Sequence, residues 1–215
     1  ETFSTGFSMT PGIGEPEGGP SARFLAAQAR EHGAWVGGSC PEIEDGADSP
    51  LPFNCFVLAG PDGTTHRYRK LNPFTHGGER ERFRAGTDPV TVRIGDLRIT
   101  PFICYDLRFA DVFWAAAPHT DVYLVPANWP AARRNHWRTL LEARAIENQA
   151  YVVGCNRVGT GGDGIDHAGD SRIVSPMGEL LVTAAEVETI VLADVDSAEV
   201  RATRDRLRFL ADRRS

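Results

Sequence analysis

Strand-like and helix-like segments alternate along the whole chain, and this interleaving predicts an α/β fold. Three observations carry that reading. Short apolar runs such as Phe53–Leu58 are bounded by Gly- and Pro-containing turns. Between Arg133 and Asn148, Trp137, Leu141 and Ala145 recur at intervals of four, with Leu140 beside them, which is the apolar stripe of a helix. No repeat, low-complexity tract or internal linker interrupts the alternation, so residues 1–215 read as one domain.

The elements follow in order. Residues 1–20 are rich in Gly and Pro and read as loop. Ser21 is positioned to cap a helix running to His32, with Ala22, Leu25, Ala26 and Ala29 on one face. Strands are expected at Ala34–Gly38, Phe53–Leu58 and Thr65–Tyr68, the last two joined through Pro61-Asp62-Gly63. A Gly- and Arg-rich loop covers Asn72–Asp88, followed by strands at Val90–Ile94 and Leu97–Ile103 and a short helix at Arg108–Ala116. Asp121–Val125 is an apolar run of the kind a buried strand shows. Beyond the Arg133–Asn148 helix, strands are expected at Ala150–Asn156, Ser171–Ser175, Leu180–Thr183 and Thr189–Val195, and an arginine-rich helix at Ser197–Ala211.

Composition narrows the function. With 215 residues and 41% hydrophobic content, the chain can bury a sizeable core. A net charge of −6 argues against a nucleic-acid partner. No apolar run approaches the roughly 18 residues that cross a bilayer, and the reading is cytoplasmic. Cys40, Cys55, Cys104 and Cys155 are scattered without a paired motif, which fits reduced thiols better than a disulfide framework or a zinc site. Of 23 basic residues, 22 are arginine and the one lysine is Lys70. Position 70 is either a chance survivor or a site needing a compact ammonium that a guanidinium cannot replace. The chain begins at Glu1 without a methionine, as though partway through an element, so a longer polypeptide is expected.

Cys104 closes the run Ile99-Thr100-Pro101-Phe102-Ile103, and Tyr105-Asp106 leads into a helix. A cysteine at a strand end is often just a small buried hydrophobe. At a strand-to-helix turn, however, the helix start lowers a thiol's pKa and offers N–H groups to a developing oxyanion, as in a nucleophile elbow. Lys70 lies just past a predicted strand and Glu1 opens a loop. In open α/β architectures working groups gather at the carboxyl ends of strands. Each also has a plainer reading as a solvated surface charge.

Several segments resemble the nitrilase superfamily of carbon–nitrogen hydrolases. They are Glu1-Thr2-Phe3-Ser4-Thr5-Gly6-Phe7, Tyr68-Arg69-Lys70-Leu71, Ile103-Cys104-Tyr105-Asp106-Leu107-Arg108-Phe109, Ala143-Arg144-Ala145-Ile146-Glu147-Asn148-Gln149 and Gly169-Asp170-Ser171-Arg172. Asn128-Trp129-Pro130 and Cys155-Asn156-Arg157-Val158-Gly159 resemble the bacterial omega-amidase branch, the 2-oxoglutaramate amidase type. The resemblance implies a four-layer α-β-β-α sandwich, here lacking the strand-helix-strand that normally precedes the first glutamate, and a tendency to form homodimers.

The same resemblance implies a Glu-Lys-Cys triad at Glu1, Lys70 and Cys104, and an auxiliary glutamate in a Glu-x-x-x-aromatic-x-x-Gly pattern. Glu79 fits through Phe83 and Gly86, with Glu81 close by. The implied chemistry is hydrolysis of a small-molecule amide to acid and ammonia through a cysteine thioester, with water as co-substrate and no metal or organic cofactor. The Tyr105 N–H is expected to face the oxyanion, and Asn128, Trp129 and Arg157 to line the pocket. Arg157 ends a predicted strand and suits a substrate carboxylate, or it is one surface arginine among many. Trp129 is equally open to core packing. His76 and His136 show no metal spacing and read as structural, and Cys40, Cys55 and Cys155 read as buried filler. Three alternatives stay open: another amide, an N-carbamoyl amine or a nitrile on the same triad; a non-catalytic binding scaffold; and a redox-sensing thiol, for which no resolving cysteine is near.

Overall fold

A computed structural model of the chain describes residues 1–46 and 48–213. The chain divides into two compact units, one ending at Val90 and the other beginning at Thr91. Each combines sheet with helix, so the α/β class holds within each.

The first unit contains β1 (Glu15–Pro16), α1 (Pro20–His32), β2 (Val36–Ile43), β3 (Phe53–Ala59), β4 (Thr65–Arg69) and α2 (Glu79–Arg82). The strands form one sheet in the order β1-β2-β3-β4, with β1 parallel to β2 and the other pairs antiparallel. Ala22, Leu25 and Ala29, at helical spacing on α1, pack on Cys40, Phe53, Cys55, Val57 and Ala59. Cys40 and Cys55 are therefore core residues of this face, directly opposite each other across β2 and β3. Burial pushes the Cys40 thiol up to about 12, with Glu42 and Glu15 adding to it. Such a thiol is inert.

The expected loop at Asn72–Asp88 holds the short helix α2, and β3 and β4 each run one residue further than expected, to Ala59 and Arg69. Two further differences have a clear local cause. Gly19, not Ser21, caps α1, because Pro20 takes the first helical position. Ser21 instead donates its N–H and hydroxyl to the Glu15 carboxylate, at 2.8 and 2.6 Å. β2 runs on through Pro41, a residue that sequence logic excludes from strand interiors.

The second unit contains β5 (Val92–Ile94), β6 (Leu97–Pro101), α3 (Ala110–Ala116), β7 (Val122–Ala127), α4 (Arg134–Asn148), β8 (Tyr151–Asn156), β9 (Val158–Thr160), β10 (Asp166–Val174), β11 (Leu180–Ala185) and α5 (Ser197–Leu207). The sheet order is β11-β10-β8-β7-β6-β5, with β9 paired to β10. β6, β7 and β8 are parallel neighbours, so their carboxyl ends share one edge. Trp137, Leu141 and Ala145 of α4 are fully buried, worth about 1.5–3 kcal/mol for each large apolar side chain. Gly154 makes the close fit possible, since a Cβ there would sit 2.5 Å from the Leu141 side chain. On the opposite face Val122, Tyr151 and Val200 form a second cluster, joined by Val153 and Val195.

Two expectations fail here. Thr189–Val195 is not a strand: none of its backbone joins a ladder among the described residues, and Ile190 and Leu192 stand 85% and 83% exposed. Its sequence has strand propensity, but a strand exists only where a neighbour supplies hydrogen bonds. Cys155 is exposed, not buried. Alternation turns it away from α4, and the cluster built on Tyr151, Val153 and Val200 covers only the earlier part of β8.

Candidate active site

In the first unit Lys70 follows β4, where the chain leaves the sheet. Its backbone N–H donates to the Asn54 carbonyl at 2.9 Å, and its carbonyl accepts from Gly86 N–H at 2.8 Å. The Gly86 contact explains the glycine of the Glu-x-x-x-aromatic-x-x-Gly pattern, because a Cβ there would lie 2.2 Å from the Arg69 carbonyl oxygen. The aromatic of the pattern, Phe83, is buried, and its N–H closes on the Glu79 carbonyl at 2.8 Å. Glu79 opens α2 and points inward, whereas Glu81 is exposed.

The result is a buried charged clamp. Lys70 Nζ lies 2.6 Å from Glu1 Oε1 and 2.6 Å from Glu79 Oε2, with all three side chains sealed from solvent. Phe74 N–H also donates to Glu79 Oε2, at 2.6 Å. Asn54, on β3, donates through Nδ2 to Glu1 Oε1 and to Glu79 Oε1, both at 2.8 Å. Phe7 covers the ammonium, its ring centroid 5.3 Å from Nζ. Burial pushes the Glu79 carboxyl above its ordinary range; the Lys70 charge opposes this and the Glu1 charge adds to it. Two carboxylates thus face one ammonium in a cluster sealed from solvent.

Asn54 and Phe7 carry parts of this site that sequence reasoning missed. Asn54 had a signal, as the one polar residue in the buried run Phe53-Asn54-Cys55-Phe56-Val57-Leu58-Ala59.

Cys104 belongs to the second unit. The strand expected to reach Ile103 ends at Pro101, and Cys104 begins a tight 3-10 turn, Cys104–Arg108, that precedes α3. Its φ of 43° is left-handed, a conformation costing a non-glycine residue about 1–2 kcal/mol. The surroundings hold it there. Asp106, fully buried, accepts from Ile103 N–H at 2.9 Å, and Phe102 N–H reaches the Leu124 carbonyl on β7 at 2.9 Å. Arg144, buried on α4, donates to the Leu107 carbonyl at 2.8 Å. Tyr105, next along the turn, is half-buried and meets Phe109 edge-on.

The remaining predicted residues cluster beyond the carboxyl ends of β7 and β8. Trp129 is buried against Trp137, with ring centroids 5.6 Å apart, so it does pack in the core. The Arg108 guanidinium stacks on the same ring, 4.7 Å from its centroid. Burial lowers the Arg108 pKa and neighbouring Arg133 lowers it further, while the fields of Tyr105 and Cys104 act in the other direction. Asn156 fixes the loop, accepting from Trp129 N–H at 2.7 Å and donating to the Trp129 and Gly169 carbonyls at 3.1 and 2.7 Å. Asn128, just before Trp129, is half-buried. Arg157 is half-buried and donates to the Thr160 carbonyl at 3.3 Å. Arg108 is thus a second cation that the sequence reading did not single out. His136 is exposed, with Nδ1 3.3 Å from Arg108, and His76 is exposed beside Phe74.

Residues 1–205 match the family model described as carbon–nitrogen hydrolase. The chain belongs to the carbon–nitrogen hydrolase family. It is similar to the omega-amidase YafV of Escherichia coli K12, with 39% identity over 96% of this chain and 79% of that protein. It is also similar to the 2-oxoglutaramate amidase of Bacillus subtilis, with 31% identity over 94% of this chain and 79% of that one. Among solved structures, XC1258 of Xanthomonas campestris, a CN-hydrolase superfamily protein with an arsenic adduct in its active site, superposes with a TM-score of 0.92 at 35% identity. The match covers all of this chain and 83% of that one. Yeast Nit3, a nitrilase superfamily member, shares the fold with a TM-score of 0.85 over 96% of this chain and 78% of that one, at 24% identity. The fold is therefore of the nitrilase type and the protein is an enzyme, a carbon–nitrogen hydrolase of the amidase kind. Among the described residues no helix is long and apolar enough to cross a membrane.

Proposed function

We propose that this enzyme is an omega-amidase, hydrolysing the terminal amide of a small dicarboxylate monoamide such as 2-oxoglutaramate, with Cys104 as nucleophile. The observation that carries the reading is the sealed Glu1–Lys70–Glu79 clamp, with 2.6 Å contacts on both sides of one ammonium. A buried cation between two acids is an expensive arrangement to keep without a chemical use. Omega-amidase and 2-oxoglutaramate amidase names among its relatives support the substrate class.

In this mechanism Glu1 removes the Cys104 thiol proton and the thiolate attacks the amide carbon. A free cysteine has a pKa of about 8.5, so a nearby base and ammonium assist it at neutral pH. Lys70 and the Tyr105 N–H stabilise the oxyanion, an effect worth about 3 kcal/mol per donor. The tetrahedral adduct then collapses as its C–N bond breaks. Glu1 gives its proton to the departing nitrogen, which leaves as ammonia, and a thioester remains. Water, deprotonated by the same carboxylate, attacks the thioester, and the C–S bond breaks to release the acid and restore the thiol. Glu79 holds Lys70 in place. An arsenic adduct in the active site of the XC1258 relative fits a thiolate nucleophile, since arsenic is thiophilic.

The substrate's far carboxylate needs a cation. Arg108, held on Trp129 with Arg133 nearby, meets that need with a planar guanidinium suited to bidentate pairing. Arg157 is the second candidate and Asn128 lines the same edge. We place the enzyme in the cytoplasm as a homodimer, in line with its free thiols and the family's habit. Ammonia release with 2-oxoglutaramate, simple nitriles and N-carbamoyl amines tests the assignment. Turnover concentrated on the omega-amide supports it, and preference for a nitrile or carbamoyl amine refutes it.

A further inference from the structure

We propose that Asn156 is a positioning residue for the substrate's far carboxylate: it fixes the Trp129 backbone, and the Trp129 ring in turn holds the Arg108 guanidinium that pairs with that carboxylate. The proposal rests on the reading of Arg108 as the carboxylate's cation.

Asn156 ends β8, and its buried side chain is fully engaged. Oδ1 accepts the Trp129 N–H at 2.7 Å, and Nδ2 donates to the Trp129 carbonyl at 3.1 Å and to the Gly169 carbonyl at 2.7 Å. The flipped amide is excluded, because its oxygen would face two carbonyls and its NH2 group would face an N–H. The ladder between β7 and β8 stops at the pair Ala127 and Asn156. Just past that point one amide grips both backbone polar groups of Trp129, as a neighbouring strand would.

The Asn156 backbone is held as well. Its N–H donates to Ser171 Oγ at 2.9 Å, and that hydroxyl donates to the Asn156 carbonyl at 3.2 Å. Three consecutive residues of β10 thus act on one spot. Gly169 and Ser171 hold Asn156, while the Asp170 carbonyl accepts Trp137 Nε1–H at 2.9 Å and fixes the indole on which Trp129 packs.

The ring end of Trp129 is tied separately, since its Nε1–H donates to the Arg133 carbonyl at 2.9 Å. With both ends fixed, the indole is a rigid platform for the Arg108 guanidinium, 4.7 Å from the ring centroid. Arg108 closes the turn that Cys104 opens, so the cation and the sulfur ride on one element. The groups whose fields bear most on Arg108 are Arg133, Tyr105 and Cys104, and none is a carboxylate. A guanidinium held over an indole, with a second arginine acting on it, suits the planar anion of a substrate. Releasing the Trp129 backbone lets the indole tilt, and Arg108 moves with it.

The test is steady-state kinetics of the full chain on 2-oxoglutaramate, which carries the carboxylate, and on valeramide, which has the same carbon chain length without it. Asn156→Leu keeps the volume and removes all three hydrogen bonds. Asn156→Ser is too short to reach Trp129, and it decides the question if Asn156→Leu does not fold. Both are expected to lower the ratio of kcat/KM for 2-oxoglutaramate to that for valeramide about tenfold, since misplacing a clamping group by about 1 Å costs up to about 10²-fold. The loss comes through a higher KM for 2-oxoglutaramate rather than a lower kcat. In an Arg108→Gln background the same substitutions are expected to lower the ratio no further, because their effect runs through Arg108. A ratio unchanged in a folded variant, or lowered as much again in the Arg108→Gln background, overturns the proposal and leaves Asn156 a staple of the loop. Arg108→Gln alone separates this failure from that of the underlying reading. If it leaves the ratio unchanged, the carboxylate assignment falls and the Asn156 role with it; if it lowers the ratio about 10- to 100-fold while the Asn156 variants do not, only the Asn156 role is lost.

Discussion

Replacing Lys70 by methionine keeps most of the side chain's volume and removes its charge, so it isolates the electrostatics of the clamp. The native cluster pairs one ammonium with two carboxylates at 2.6 Å; the variant leaves two sealed carboxylates facing each other, with neutral donors such as Asn54 and Phe74 N–H in place of the cation. The cheapest relief is to protonate one of them. With a reference pKa of about 4.3, that costs about 3.7 kcal/mol at pH 7 and about 1 kcal/mol at pH 5. The first figure lies within the roughly 3–5 kcal/mol typical of breaking a buried ion pair. The sign follows from linkage. A carboxyl whose folded pKa is raised above its unfolded value carries no penalty below the unfolded value, and the penalty grows as pH rises toward the folded one. Urea unfolding at both pH values measures the difference, and turnover is expected to fall about 10²- to 10³-fold as an oxyanion donor is lost. Lys70→Arg is not expected to restore it, because a planar fork does not fit a pocket closed around one nitrogen. A Lys70→Met variant destabilised equally at pH 5 and pH 7, or by less than about 1 kcal/mol at pH 7, would refute the ionised clamp.

Cys104→Gly relieves the left-handed backbone at φ 43° and is expected to raise unfolding free energy by about 1 kcal/mol while abolishing turnover, checked by denaturation and ammonia release. Burial would raise the Asp170 carboxyl, but hydrogen bonds from Arg134 and Arg138 outweigh it and hold the group below its usual range. Its stabilisation is present above the unfolded pKa of about 3.9 and lost as pH falls through the lower folded value. Thermal melts of Asp170→Asn are therefore expected to show a lower midpoint at neutral pH and a flatter acid limb. Arg108→Gln is expected to raise KM about 10- to 100-fold for amides carrying a free carboxylate and to leave an uncharged amide of similar size unaffected. The same assay on Arg157→Gln ranks the two cations.

Much of this was legible because the chemistry left local marks. The apolar stripe on Trp137, Leu141 and Ala145 fixes α4 wherever the helix ends up, and the lone lysine in an arginine-rich chain marked Lys70. The Glu79-to-Gly86 pattern also has a local cause, the passage of Gly86 against the Arg69 carbonyl. What stayed hidden depends on partners distant in sequence. Asn54 becomes a bridge only when Glu1, 53 positions away, and Glu79 are folded against it. Arg108 stands out only once Trp129 lies beneath it. Ser21 gave a capping signal that Pro20 displaced by two residues, to Gly19, and Thr189–Val195 has the composition of a strand but joins no ladder among the described residues. Cys155 looked like filler because alternation shows which face a residue takes, not whether that face is covered.

Intact-mass analysis of the full chain, quenched in acid during turnover of 2-oxoglutaramate, tests the central claim most directly. The account predicts an acyl adduct equal to the substrate minus ammonia, localised to the peptide bearing Cys104 and absent from Cys104→Ala, which releases no ammonia. An adduct on another residue, or undiminished ammonia release from Cys104→Ala, would contradict it.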